Sequence, residues 1–161
     1  LENDRFQLHY QPILKMSDID LINLPAQDGV LWQRHLNESN KVFSYEVLVR
    51  MIDENGELAY PDSFIPTAER FNMMTDIDMW VLENALQEVI ATGEESKNIR
   101  LSINICGNTV DSDESLGRIR ALIKKYDISP SSLTFEVTET CAIANLEQAN
   151  DFINELRKIG C

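Results

Sequence analysis

Apolar and polar residues alternate with a period of two in several short segments, as expected for β-strands with one buried face. In SYEVLVRM, residues 44–51, one side of the strand is wholly apolar, whereas the other side carries Glu46 and Arg50. The same alternation predicts strands in RFQLHYQPIL, NIRLSINIC and LTFEVTET, and Pro12 is expected to end the first of them. The pattern therefore predicts a sheet with one apolar and one polar face.

Between these strands, apolar residues recur with the period of an amphipathic helix. This pattern predicts long helices in IDMWVLENALQEVIATG, SDESLGRIRALIKKY and NLEQANDFINELRKIG, with Gly93 and Gly160 where two of them end. The segment PDSFIPTAERF is predicted to form a shorter helix capped by Asp62 or Ser63. Residues 15–40 are polar and irregular, and we interpret them as a long connection.

Strand and helix patterns follow each other repeatedly, which predicts parallel strands joined by right-handed crossovers in an α/β sheet or barrel. Strands covered by helices on both faces would be almost continuously apolar, so the polar face favours a barrel with a polar interior. In such a barrel, active-site residues lie near the carboxyl ends of the strands. The polar residues of three strands would then converge: Glu46, Arg50, Asn104 and Glu136.

Carboxylate and amide oxygens are the ligands that hard cations such as Mg²⁺ and Mn²⁺ prefer. Paired ions of this kind assist the hydrolysis of phosphodiesters, and Arg50 would contact a phosphate oxygen. The alternative is that the polar side is a solvated strand face whose carboxylates serve solubility. The alternation of residues alone leaves both interpretations open.

Composition and charge narrow the class of partner. Acidic residues outnumber basic residues by 27 to 14 among 161 residues, and the formal net charge is −13. Because such a field repels the phosphate backbone, a nucleic-acid duplex is not an expected partner. No apolar run is long enough to span a bilayer and no secretion signal is visible, so we expect a cytoplasmic location and reduced cysteines.

Six motifs, taken in order, resemble the first half of an EAL domain, the family of bacterial cyclic di-GMP phosphodiesterases. They are YQPI, YEVLVRM, FIPTAER, IDMWVL, LSIN and LTFEVTET, and the Glu-Ala-Leu motif of the family stands here as Glu46-Val47-Leu48. The resemblance implies an α/β fold, a partial (β/α)₈ TIM-like barrel of EAL type with about the first four strands and their helices, the first strand antiparallel. Residues 1–161 would be the N-terminal half of a single EAL domain, with an insertion within residues 15–40.

The same resemblance implies a role for individual residues. Three match metal ligands: Glu46, Asn104 and Glu136. Three match substrate contacts: Gln11, Leu48 and Arg50. Glu139 matches a residue that braces the loop over the metals, and it is grouped with Glu46 and Glu136 as part of the catalytic apparatus. The implied reaction is the hydrolysis of cyclic di-GMP to linear pGpG with two Mg²⁺ or Mn²⁺ ions.

The sequence departs from the family pattern at its end. It stops at KIGC, where the family continues into a fifth strand with paired aspartates and, later, a lysine and a glutamate. We therefore expect an active parent protein and an inactive isolated fragment. The alternative is a degenerate EAL domain that acts as a cyclic di-GMP receptor or a protein-interaction module. The family also suggests an upstream GGDEF or sensor domain in the parent chain, and a homodimer is a further option.

Overall fold

The computed structural model describes residues 5–13, 43–112, 114–137 and 145–161. Its strands are β1 (Phe6–Ile13), β2 (Phe43–Ile52), β3 (Leu58–Ala59), β4 (Ile99–Ile105) and β5 (Leu133–Val137). Its α-helices are α1 (Pro61–Arg70), α2 (Met74–Ala91), α3 (Gly107–Val110), α4 (Ser115–Tyr126) and α5 (Leu146–Ile159). The predicted strands and long helices are confirmed, whereas the insertion predicted within residues 15–40 lies outside the described residues.

The five strands form one mixed sheet in the order β1-β2-β4-β5, with the short β3 paired to β2. The β1–β2 pairing is antiparallel, and the β2–β4 and β4–β5 pairings are parallel. This arrangement confirms the α/β fold with an antiparallel first strand. None of the described helices is long and apolar enough to cross a membrane.

The prediction that Pro12 ends the first strand is wrong. The β1–β2 register continues through Pro12, opposite Tyr45, to Ile13, opposite Ser44. A proline has no N–H group to donate, but a strand at the edge of a sheet tolerates one because the missing donor would face away from its neighbour. Among the described strands β1 has β2 as its sole partner, and this explains why the ladder survives.

The hydrophobic core lies between the sheet and the helices. The residues of β2, β4 and β5 that point towards the helices are almost fully buried, with exposed fractions of 2% for Val47, 0% for Ile103 and 2% for Leu133. Helix α2 packs against them with a fully buried stripe that includes Leu82 and Leu86. Each fully buried aliphatic side chain of this kind stabilises the fold by about 1.5–3 kcal/mol relative to exposure. The apolar strand face is therefore the face that meets the helices.

The ends of the helices test the residues that the sequence predicts to begin or end them. Gly93 follows α2 with φ +67° and Gly160 follows α5 with φ +109°, a left-handed conformation that glycine adopts without a steric penalty. The prediction that Asp62 or Ser63 caps α1 is wrong. Tyr60 occupies the N-cap position without a side-chain cap, because the helix starts at Pro61, whose fixed φ suits the first helical position.

Candidate functional site

The inner face of the sheet, opposite the helix-covered core, carries polar side chains from four neighbouring strands. Gln11 lies directly opposite Glu46 in the β1–β2 pairing. Asn104 lies beside Glu136 in the β4–β5 pairing. Asn104 Nδ2 donates a hydrogen bond to Glu46 Oε1 over 2.9 Å, which joins the two pairs. We call Gln11, Glu46, Asn104 and Glu136 the polar row.

Local strand geometry explains why these side chains point inward. Glu46 precedes Val47, Asn104 follows Ile103, and each of these apolar neighbours is buried on the helix side. Because successive strand residues point to opposite faces, burial of the apolar residue directs the polar one to the inner face. Asn104 and Glu136 are also the last residues but one of β4 and β5, so they lie at the carboxyl ends of parallel strands.

Leu48 and Arg50 continue the inner face along β2. Leu48 is partly buried opposite His9 of β1. Arg50 Nη1 donates a hydrogen bond of 2.8 Å to the carbonyl oxygen of Val49, and the guanidinium carbon lies 5.2 Å from the centroid of the Tyr60 ring. The Nε atom of Arg50 is buried and has no hydrogen-bond partner among the described residues. Unsatisfied buried donors are uncommon, and an anionic ligand beside this one would supply the missing acceptor.

Glu46 and Glu136 concentrate negative charge in the polar row. Within the described ranges, no ion pair involves either carboxylate. The same part of the chain contains no group of three or more His, Cys, Asp or Glu side chains that could hold a metal ion. A cation in the row would therefore need the amide oxygen of Asn104 as well. Two carboxylates and an amide oxygen are a donor set that fits a hard divalent cation such as Mg²⁺ or Mn²⁺.

The structure thus brings four of the predicted site residues into one row and places two others on the same face. Arg50 stands four residues beyond Glu46 along β2, a separation of about 13 Å between their backbones. Glu139 belongs to residues 138–144, which lie outside the described part of the chain. The roles assigned to these residues from the resemblance stay predictions.

One buried acid behind the polar row was not singled out from the sequence. Asp78 of α2 is 5% exposed and accepts hydrogen bonds from Cys106 N over 2.9 Å and from Thr109 Oγ1 over 2.6 Å. Burial raises the pKa of the Asp78 carboxyl group above its usual value. Burial and the adjacent Asp78 charge raise the pKa of the Cys106 thiol to about 12, so this cysteine stays protonated and is a poor nucleophile.

A barrel-type α/β sheet with carboxylates on its inner face defines a class of proteins that bind ligands at the carboxyl ends of their strands. Within this class, the chain belongs to the EAL domain family, whose sequence profile matches residues 30–161. The cyclic di-GMP phosphodiesterase PdeF of Escherichia coli (strain K12) is 38% identical over 117 residues, which are 73% of this chain and 16% of PdeF.

Other similarities extend over almost the whole chain. The cyclic di-GMP phosphodiesterase PdeB of Shewanella oneidensis is 29% identical over 160 residues, 99% of this chain and 16% of PdeB. The crystal structure of the FimX EAL domain from Pseudomonas aeruginosa bound to c-di-GMP superposes with a TM-score of 0.75 at 21% identity, over 98% of this chain and 54% of that one. The chain therefore spans about half of an EAL domain structure and a small part of its curated relatives.

Proposed function

We propose that the protein containing this chain hydrolyses cyclic di-GMP to linear pGpG in a reaction that requires Mg²⁺ or Mn²⁺. The observation that carries this proposal is the polar row, in which Asn104 is hydrogen-bonded to Glu46 and lies beside Glu136 in the strand register, so that the three side chains present oxygen ligands together. The chain belongs to the EAL domain family, and the relatives PdeF and PdeB are named cyclic di-GMP phosphodiesterases.

The charge of the row supports a role for cations. Cyclic di-GMP carries two phosphodiester groups, and a chain with a net charge of −13 repels such an anion unless positive charge is placed between them. Bound divalent ions would neutralise the phosphoryl group under attack and activate a water molecule. Glu46, Glu136 and the Asn104 amide oxygen are the residues that would hold them.

Arg50 suits a different part of the same ligand. Its backbone lies about 13 Å from that of Glu46 along the strand, so Arg50 would contact the ligand at a distance from Glu46. A cyclic dinucleotide has a second phosphate and two nucleosides, which would extend along the inner face. Arg50, backed by the Tyr60 ring, would bind this distal part, and Leu48 would line the path between. Gln11 would contact the ligand beside Glu46.

We also propose that this chain is the N-terminal half of the domain and supplies only part of the site. The chain covers 54% of the FimX EAL domain structure, and the remainder of that structure has no counterpart in it. In the described sheet, β5 has β4 as its one partner, and a further strand of a complete barrel would pair with the other edge of β5. The isolated 161-residue chain would then lack part of the metal site and be inactive.

The experiment is an assay of the full-length protein with cyclic di-GMP and Mn²⁺, in which pGpG is separated by ion-exchange chromatography. Glu46→Gln and Asn104→Ala should abolish pGpG formation, and Asp76→Asn, a substitution on the exposed side of α2, should leave it unchanged. Binding of cyclic di-GMP without any pGpG would favour the receptor alternative. A full-length protein that neither binds nor hydrolyses cyclic di-GMP would refute the proposal.

A further inference from the structure

Asp78 is an acidic residue on the apolar, buried face of helix α2. Its neighbours on the same face of α2 include Val81, Leu82 and Ala85, with exposed fractions of 5%, 0% and 0%. A buried carboxylate is unfavourable unless hydrogen bonds compensate for lost hydration. Two hydrogen bonds compensate the Asp78 carboxylate, and burial raises its pKa above the usual value.

The two donors to Asp78 come from the turn that follows β4. Cys106 N and Thr109 Oγ1 both donate to the same oxygen, Oδ2, over 2.9 Å and 2.6 Å. Thr109 is fully buried, and its own backbone N–H group donates to the carbonyl of Cys106 over 3.1 Å. One carboxylate oxygen thus fastens both ends of this turn to α2.

This turn begins directly beyond the polar row. Asn104 precedes Cys106 by two residues, and its side chain donates to Glu46 over 2.9 Å. Asn104 is exposed on the inner face, so its side chain is not held by packing around it. The backbone of Asn104 is held in position by the β4 pairing before it and by the turn after it, which is hydrogen-bonded to Asp78.

We propose that Asp78 is a positioning residue that holds the end of β4 and thereby directs the amide oxygen of Asn104 towards a bound cation. This inference rests on the proposed metal-dependent function. Asp78 does not touch the cation or the substrate, and it acts through the backbone of Cys106 and the hydroxyl group of Thr109.

Suitable variants can distinguish the role of the Asp78 oxygen as a hydrogen-bond acceptor from the role of the carboxylate charge. Because both donors use one oxygen, Asp78→Asn can keep both hydrogen bonds, whereas Asp78→Ala removes them. Thr109→Val removes the hydrogen bond to Asp78 and the 3.3 Å contact of the hydroxyl group with Cys106 Sγ, with little change in volume. It serves as a second variant if Asp78→Ala does not fold. Asp76→Ala is the matched control, since Asp76 lies on the same helix with an exposed side chain paired to Arg118 at 2.8 Å.

The first readout is the Mn²⁺ dissociation constant of the full-length protein, measured by titration with electron paramagnetic resonance detection and without substrate. Loss of a hydrogen-bond partner that contacts a metal ligand directly typically weakens metal affinity about 10-fold to 100-fold. Because Asp78 acts through Cys106 and Thr109 and not on Asn104 itself, the loss expected for Asp78→Ala lies at the lower end of this range, about 10-fold. A smaller loss of Mn²⁺ affinity is expected for Thr109→Val. Asp78→Asn and Asp76→Ala are expected to bind Mn²⁺ with an affinity near that of the wild type. Unchanged affinity in Asp78→Ala, or an equal loss in Asp78→Asn, would overturn the proposal.

The second readout is amide hydrogen exchange of peptides that cover residues 104–110, which does not depend on metal. Faster exchange is expected there in Asp78→Ala, while peptides from β1 and β2 keep the wild-type rate. Equal acceleration in all these peptides would mean general destabilisation and would overturn the inference. If the wild-type protein binds no Mn²⁺, the proposed function fails and the positioning role towards a cation fails with it. If the wild type binds Mn²⁺ and the variants bind equally well, only the positioning role fails.

Discussion

Two adjacent residues of β4 should separate stability from function. Ile103 is fully buried on the helix side, between Val47 of β2 and Phe135 of β5 in the strand register, and Asn104 points to the opposite face. Replacement of a buried isoleucine by alanine costs about 2–5 kcal/mol, and the complete burial of Ile103 places Ile103→Ala in the upper half, about 4 kcal/mol. Asn104→Ala removes one exposed hydrogen bond to Glu46, worth about 1 kcal/mol or less.

The assay is amide hydrogen exchange of the β4 peptide in the full-length protein, combined with the rate of pGpG formation by each variant at a temperature where it is folded. Ile103→Ala should lower the free energy of local opening by about 4 kcal/mol and retain hydrolysis when corrected for the folded fraction. Asn104→Ala should change the opening free energy by about 1 kcal/mol or less and abolish hydrolysis. The assignment of Ile103 and Asn104 to opposite faces would be refuted by comparable destabilisation in both variants. It would also be refuted if folded Ile103→Ala lost activity while Asn104→Ala kept it.

Three further outcomes are expected. Removal of divalent ions with EDTA should stop pGpG formation, and Mn²⁺ should restore it in the wild type but not in Glu46→Gln. Arg50→Lys should weaken cyclic di-GMP binding about 10-fold to 100-fold, measured by calorimetry, because lysine loses the forked guanidinium geometry and its stacking on Tyr60. Burial and the 2.6 Å bond to Glu88 raise the pKa of Tyr10 well above its usual value, so this residue's contribution to stability should be present below about pH 10 and fall as the pH rises further. Tyr10→Phe should reduce that loss in thermal melts between pH 8 and 11.

The sidedness of the sheet could be predicted from the sequence because it depends on a purely local rule. Alternation in SYEVLVRM predicts that Val47 and Glu46 face opposite ways, and the structure confirms this with Val47 buried in the core. The position of one strand against another is not local. The hydrogen bond from Asn104 to Glu46 joins residues 58 positions apart, and only the packing of the complete sheet determines it. The antiparallel direction of β1 follows from the family resemblance and not from the pattern of β1 itself.

Asp78 shows what local reasoning misses. An acid between Ile77 and Met79, within an apolar stripe, is the one signal that could have identified it as a buried group with dedicated partners. Its partners, Cys106 and Thr109, are 28 and 31 positions away, at the start of and within a short helix that no periodic pattern predicts. Pro12 is a similar case, since a proline ends a central strand but not an edge strand, and the position of β1 at the edge is a property of the whole sheet.

The core and the polar row are two consequences of one register. A shift of β4 by a single residue would turn every one of its side chains to the other face, exposing Ile103 to the barrel interior and burying Asn104 among the helices. The apolar side chains that α2 covers therefore exclude the alternative registers in which Glu46, Asn104 and Glu136 would not meet. Repulsion between the carboxylates of the polar row is unfavourable. Burial of the apolar side chains on the opposite face of the sheet can nevertheless hold the row in place. A cation that binds the row would then find its ligands already aligned, and the binding free energy would not be spent on ordering the strands.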